Sequence, residues 1–143
     1  MDILKYLSED VIEYIYSEIE AAQGNEVFFT GEIDETGLVV SVKVGCRGNS
    51  NTVPVNFSDM RESSVIIHNH PSGKLFPSNA DLGVASAASE NAQGFYIINN
   101  DVSDIYVVVE PVKLKSIQKM FQVQMEFSLQ DMLAKNLFIS NQQ

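Results

Sequence analysis

The two histidines of this 143-residue chain are separated by a single residue, and the residues around them have the types and spacing of a metal site. His68 and His70 follow a β-branched apolar run, Ser64–Ile67, which predicts a buried strand. Side chains two residues apart on a strand point to the same side, so both imidazoles can bind one ion. Asp81 can supply a carboxylate as the third ligand. Two histidines and one carboxylate leave a tetrahedral position open for water, which is typical of a catalytic zinc site.

The segment between the histidines and Asp81 also has an explanation without a metal. Pro71 and Gly73 predict a turn, and Ser78 predicts the N-cap of a helix whose first turn contains Asp81. Residues 78–81 are then a capping box with Asp in place of Glu, and the histidines belong to a polar turn. We favour the metal interpretation because the whole histidine content, the proline turn and the capping aspartate occur together.

Several upstream carboxylates are candidates for a catalytic base. Glu26 and Glu32 lie on one face of a predicted strand because their separation is even, and Glu35 and Glu62 are further candidates. The spacing does not choose among the four. Cys46 is a weaker candidate for a nucleophile or fourth ligand, because no second cysteine or neighbouring histidine accompanies it. Its position at the end of a predicted strand is enough to explain its presence.

The sequence HNHPSG at 68–73, followed by PSNAD at 77–81, resembles the JAMM (MPN+) zinc metalloprotease motif and is closest to its bacterial RadC-like branch. That family also has a glutamate at the start of an upstream strand, and Glu26 matches it. The resemblance extends over about residues 26–109. It implies an α/β fold with a JAMM/MPN-type, cytidine-deaminase-like core, in which a mixed β-sheet is packed between helices.

The resemblance also implies a function for each site residue. His68, His70 and Asp81 hold one zinc ion, which lowers the pKa of a bound water from about 16 toward 7. Glu26 takes the proton of that water and passes it to the leaving amine. Ser78 donates a hydrogen bond to the developing oxyanion, a contribution of roughly 3 kcal/mol. The expected activity is hydrolysis of a peptide or isopeptide bond, with a peptide or a ubiquitin-like protein as substrate.

Composition favours one soluble globular domain over residues 1–143. The net charge of −10 argues against direct binding to nucleic acid. The single cysteine excludes an intrachain disulfide and favours a reducing, cytoplasmic setting. Neither a secretion signal nor a membrane span is expected from the hydropathy pattern.

Hydrophobic periodicity and turn residues predict the elements that position the site. Before the histidine strand they are a helix at 2–23, in which Ser8 can cap a break, a hairpin with strands at 26–33 and 38–44, an edge strand at 53–55 and a short helix at 57–62. After it they are a small-residue helix at 82–89, strands at 94–98 and 105–109, and helices within 112–139. RadC-like chains usually have a longer helix before the histidine strand than residues 57–62 allow.

A second function is a metal-containing binding module, which recognises a ubiquitin-like tail or a partner protein without cutting it. The resemblance also admits a place within a larger DNA-repair or helicase-type protein, although the acidic charge argues against direct contact with DNA. The apolar residues 136–139, near the end of the chain, favour either a homodimer or a larger parent protein.

Overall fold

The computed structural model describes residues 2–47, 63–113, 124–126 and 128–134. The chain divides into two compact units, residues 1–113 and 114–143. The named elements all belong to the first unit: a 3-10 helix at Ile3–Lys5, α1 at Glu9–Ala21, β1 at Val27–Ile33, β2 at Val39–Arg47, β3 at Val65–Asn69, α2 at Asn79–Glu90, β4 at Gly94–Ile98 and β5 at Ile105–Val109. The predicted strand at 53–55, the predicted helix at 57–62 and the apolar stretch 136–139 lie outside the described residues.

The five strands form one mixed sheet in the order β2-β1-β3-β4-β5. β1 is antiparallel to both β2 and β3, whereas β3 is parallel to β4, and β4 is antiparallel to β5. Two parallel neighbours need a crossover connection, and α2 provides it between β3 and β4. The α/β fold with a mixed sheet is therefore confirmed.

The sheet has a buried core on each face. On one face, the buried residues of α1, such as Ile15 and Ile19, form one cluster with Phe29 and Ile67 of the sheet. On the other face, Ile66 and its neighbours form a cluster with the small residues of α2. Adjacent residues of β3 point to opposite faces, so Ile66 and Ile67 serve different cores. The sheet is packed between helices, as the sequence predicts.

The helix predicted at 2–23 is interrupted before Ser8. Leu4 and Leu7 fit a helical period, but Leu4 is 53% exposed, while Leu7 bridges to Val39 of β2. The backbone N–H of Ser8 donates to the Val39 carbonyl, which takes this segment out of the helix. The Ser8 hydroxyl then caps α1 by accepting from the Val11 amide. Pairing with an edge strand thus overrides the helical periodicity.

Within the second unit, residues 124–126 and 128–134 are helical, in the region of the predicted C-terminal helices. The apolar side chains of Leu129, Met132 and Leu133 are each more than half exposed there. Across the parts of the chain that the structure describes, no helix combines the length and the apolar character needed to cross a membrane.

Candidate metal centre

The centre lies where β3 ends, on the face of the sheet that α2 covers. The imidazole of His68 is fully buried between two phenylalanine rings. It stacks on Phe28 of β1, with ring centroids 4.8 Å apart, and contacts Phe95 of β4 at 5.0 Å. Aromatic contact on both sides restricts the plane of this ring.

The side chains of His68, His70 and Asp81 converge on one point. The two Nε2 atoms are 3.1 Å apart, and Asp81 places Oδ1 at 3.1 Å from His68 and Oδ2 at 3.0 Å from His70. Ligands about 2.1 Å from one ion lie about 3.4 Å apart in a tetrahedron and about 3.0 Å apart in an octahedron. The three donors therefore fit around a single small divalent ion.

Each imidazole is prepared to bind a metal through Nε2. The Nδ1–H of His70 donates to the carbonyl of Lys74 at 2.7 Å, which fixes the tautomer and leaves the Nε2 lone pair free. Burial lowers the pKa of His68 from 6.5 to about 4, against the opposing charge of Asp81. His68 is therefore neutral at pH 7, which is the form that binds metals.

Asp81 is both a helix cap and a candidate ligand. Its Oδ2 accepts from the Ser78 backbone amide at 2.9 Å, while the Ser78 hydroxyl accepts from the Asp81 amide at 3.1 Å. This complete capping box holds the carboxylate against the histidines. Burial alone would raise the pKa of Asp81, but the Ser78 hydrogen bonds and the positive potential of the histidines hold that pKa below 3.8. The capping and metal interpretations of this segment are thus compatible.

Glu26 lies beside the three donors without joining them. Its Oε1 is 4.0 Å from Nε2 of His68, and its side chain is 38% exposed. Burial, and then the charge of Asp81, raise the pKa of Glu26 above 4.5, against an opposing effect of His70. Glu26 is therefore closer to its protonated form than an ordinary surface glutamate.

The other predicted candidates are placed differently. The carboxylate of Glu32 accepts from the Ser64 hydroxyl at 2.6 Å and is not part of the donor cluster. Glu62 lies outside the described residues. Cys46 is partly buried, and burial together with the charge of Glu26 raises the pKa of its thiol. A raised thiol pKa argues against a nucleophilic role.

Ser78 occupies the rim of the centre next to Asp81. Its hydroxyl oxygen is the acceptor in the capping box, so its proton is not used there. A hydroxyl can accept and donate at once. The residue can therefore cap the helix and still donate to a group that approaches the centre.

The sequence reasoning missed two further residues, one between the histidines and one in the loop that leads to Asp81. Asn69 was treated as the spacer between the histidines, yet its side chain is fully buried and hydrogen-bonded to the start of β1. Phe76, in the loop between the ligands, is 79% exposed and packs near Tyr106, with ring centroids 6.0 Å apart. A polar residue inside a buried strand and an aromatic residue inside a polar loop were the available signals.

Comparisons with known proteins identify the family. The search of curated proteins gives no significant match. The family model for the RadC-like JAB domain matches residues 6–120, a span that contains Glu26, both histidines, Ser78 and Asp81. This span is well over half of the chain and includes every named strand and α1 and α2. The chain therefore belongs to the RadC-like JAB domain family.

Proposed function

We propose that the protein is a zinc-dependent peptidase or isopeptidase. The observation that carries this proposal is a cluster of three side chains whose nearest donor atoms are 3.0–3.1 Å apart in each pair, with a separate carboxylate 4.0 Å from one of them. A zinc ion bound there would acidify a water molecule and polarise a carbonyl group. The separate carboxylate is then available for proton transfer.

The donor set supports zinc over the hard cations. Ca²⁺ and Mg²⁺ prefer oxygen ligands, whereas two of these three donors are imidazole nitrogens. A site with two histidines, one carboxylate and an open position is characteristic of catalytic zinc. One cluster of three such residues suits one ion.

Glu26 is the proposed general base. It is near enough to the donors to bond to a water molecule between them, and it is partly open to solvent, from which a substrate arrives. Its raised pKa brings the carboxylate nearer to the pH at which it must both accept and release a proton. Glu26 would take a proton from water and deliver it to the leaving amine.

Ser78 is the proposed donor to the carbonyl oxygen of the substrate. The capping box fixes its backbone, and its hydroxyl proton is not needed by the box. A fixed donor that meets charge as it develops stabilises a transition state at little reorganisation cost.

The exposed pair Phe76 and Tyr106 supports a peptide substrate. Tyr106 is paired with Ile97 across the sheet, and Ile97 shares a buried cluster with Phe95, which contacts His68. Directly opposite residues project from the same face, so the pair lies on the face that carries the centre. We propose that an apolar side chain of a peptide or of a ubiquitin-like tail packs on this pair.

The single cysteine favours a reducing, cytoplasmic setting for the reaction.

The same exposed pair favours a binding module as the second candidate function. One experiment separates the two: the full chain is loaded with zinc, its metal content is measured, and linear and isopeptide-linked fluorogenic substrates are tested for binding and cleavage. The first proposal expects one zinc per chain and cleavage that Glu26→Gln slows by about 100-fold or more. Zinc with peptide binding but no cleavage would establish the binding module, and full activity in Glu26→Gln would refute the assignment of the base.

A further inference from the structure

Asn69 lies between the two histidine ligands in sequence, but its side chain points to the opposite face of β3. It is fully buried in the sheet rather than at the centre. A buried amide needs hydrogen-bond partners, because an unpaired one costs free energy. The partners of Asn69 are therefore informative about why an amide is present in a buried strand.

The Asn69 amide binds both peptide groups that flank Glu26. Its Oδ1 accepts from the Val27 amide at 2.7 Å, and its Nδ2 donates to the Asn25 carbonyl at 3.1 Å. The first group belongs to the peptide after Glu26 and the second to the peptide before it. Holding both peptide planes fixes φ and ψ of Glu26, and therefore the direction in which its side chain leaves the backbone.

Within the described residues, the strand pairing of β1 does not include Glu26. The described pairing of β1 with β3 runs to Phe28 and His68, and that with β2 runs to Val27 and Arg47, the last described residue of β2. Glu26 directly precedes β1 in the chain. The side chain of Asn69 extends the constraint to this residue.

Asn100 holds the Asn69 amide in the required orientation. Its Oδ1 accepts from Asn69 Nδ2 at 2.7 Å, and its own Nδ2 donates to the Gly24 carbonyl at 3.0 Å. Two asparagines thus connect the turn after β4 to the turn before β1. All four hydrogen bonds assign the amide orientations consistently, because a backbone N–H only donates and a carbonyl only accepts.

We propose that Asn69 is a positioning residue for Glu26, so that the segment carrying the two histidines also sets the direction of the catalytic base. This inference rests on the proposed function for its kinetic consequence. It predicts that loss of the Asn69 amide misplaces the base while leaving the three ligands in position. A displacement of about 1 Å at a reacting group can cost about 100-fold in rate.

The test compares Asn69→Ala, Asn69→Leu and Asn100→Ala in the native and the Glu26→Gln backgrounds. In the native background we expect kcat to fall about 10- to 100-fold, with KM and zinc content retained. In the Glu26→Gln background the same substitutions should change kcat less than about twofold, because they act through a base that is already absent. Asn100 is only partly buried, so its variant gives an answer even if the Asn69 variants do not fold.

Gln93→Ala is the matched control. Gln93 is also a buried amide, but it bonds to Ser63 at the other end of β3. It should lower stability without changing kcat. Equal losses of kcat in both backgrounds for the Asn69 and Asn100 variants, or loss of zinc in step with kcat, would overturn the proposal.

Amide hydrogen exchange of zinc-free protein supplies a readout that does not depend on activity. Exchange at Val27 should accelerate in Asn69→Ala and Asn100→Ala, whereas exchange at Ile66, in the middle of β3, should not change. If the native chain cleaves no substrate, the proposed function fails, and the exchange at Val27 still decides the positioning. An unchanged rate at Val27 would overturn it.

Discussion

The two carboxylates of the centre, Asp81 and Glu26, are held in opposite ways. Asp81 belongs to a helix N-terminus, where a capping box and two histidines keep its pKa below 3.8. Glu26 directly precedes β1, an inner strand of the sheet, and burial and the charge of Asp81 keep its pKa above 4.5. Environments that separate the pKa values of two neighbouring acids commonly separate their roles. A permanently ionised, immobile carboxylate suits a metal ligand, and a carboxylate that exchanges its proton more readily suits a base.

The largest effect is expected from Asp81→Ala. This substitution removes one of the three proposed ligands, so zinc affinity should fall by more than the roughly 10- to 100-fold that is typical of residues that only orient a ligand. Metal analysis after dialysis should find almost no zinc, and activity should fall to background. Glu32→Gln is the control, because Glu32 is a carboxylate bonded to Ser64 and outside the donor cluster. If Asp81→Ala bound as much zinc as the native chain, Asp81 would not be a ligand, and the proposed contrast with Glu26 would be wrong.

Glu26→Gln should have the next largest effect, and on rate alone. The amide keeps the shape of the side chain but cannot accept a proton from water, so kcat should fall by about 10²- to 10⁴-fold. Zinc content should remain at one per chain, in contrast to Asp81→Ala. A variant that loses zinc would show that Glu26 is a ligand rather than a base.

Ser78 caps the helix that carries Asp81, and it is also the proposed donor to the substrate oxyanion. Two substitutions separate these two roles. Ser78→Ala and Ser78→Gly both remove the hydroxyl, so each should lower kcat by about 10²- to 10³-fold if the hydroxyl stabilises the oxyanion. Their stabilities should differ, because alanine at an N-cap costs about 1 kcal/mol and glycine only a few tenths. Thermal unfolding and steady-state kinetics on both variants make the measurement. If kcat followed stability across the pair, Ser78 would be a cap alone.

The pH dependence of kcat/KM sharpens the contrast between the carboxylates. A base acts in its deprotonated form, so the raised pKa of Glu26 should place the acid limb of the profile above pH 4.5. Activity should therefore be lost at a higher pH, as the pH falls, than an ordinary glutamate would allow. The residual activity of Glu26→Gln should lack this limb. Persistence of the same limb in that variant would assign it to another group.

The smallest expected effect is on the thiol of Cys46. Burial raises its pKa, and the negative charge of Glu26 raises that pKa further. Alkylation at pH 8 should be slow in the native chain and slightly faster in Glu26→Gln, because the thiolate is the reacting form. Following the rate by mass spectrometry tests whether Glu26 is charged at that pH. A slower rate in the variant would contradict the charge assignment.

The hairpin and the last two strands could be predicted from sequence, but their order in the sheet could not. The sequence predicts strands at 94–98 and 105–109 with the bounds that the structure gives to β4 and β5, because a short apolar run between turn residues is a local signal. The position of β1 between β2 and β3 depends on partners far apart in the chain. The same limit explains the error at Leu7, whose helical spacing gave no indication of the bridge to Val39.

Some residues of the candidate site could likewise be predicted from sequence, and others could not. The spacing of the histidines and the capping pattern at Ser78 predict donors that the structure places together. The choice of Glu26 over Glu32 depended on the family resemblance, because the two residues lie on the same face of the strand and their spacing does not distinguish them. Asn69 was missed because its partners lie at residues 25, 27 and 100, and no pattern around the histidines indicates them.

A crystal structure of the zinc-loaded chain, with anomalous data at the zinc edge, tests the central claim most directly. The division of roles between the carboxylates predicts one anomalous peak, about 2.0–2.2 Å from Nε2 of both histidines and from an Asp81 oxygen. Glu26 should lie beyond bonding distance of that peak and within hydrogen-bond distance of a water on it. A peak bonded to Glu26, or one located away from His68 and His70, would contradict the account.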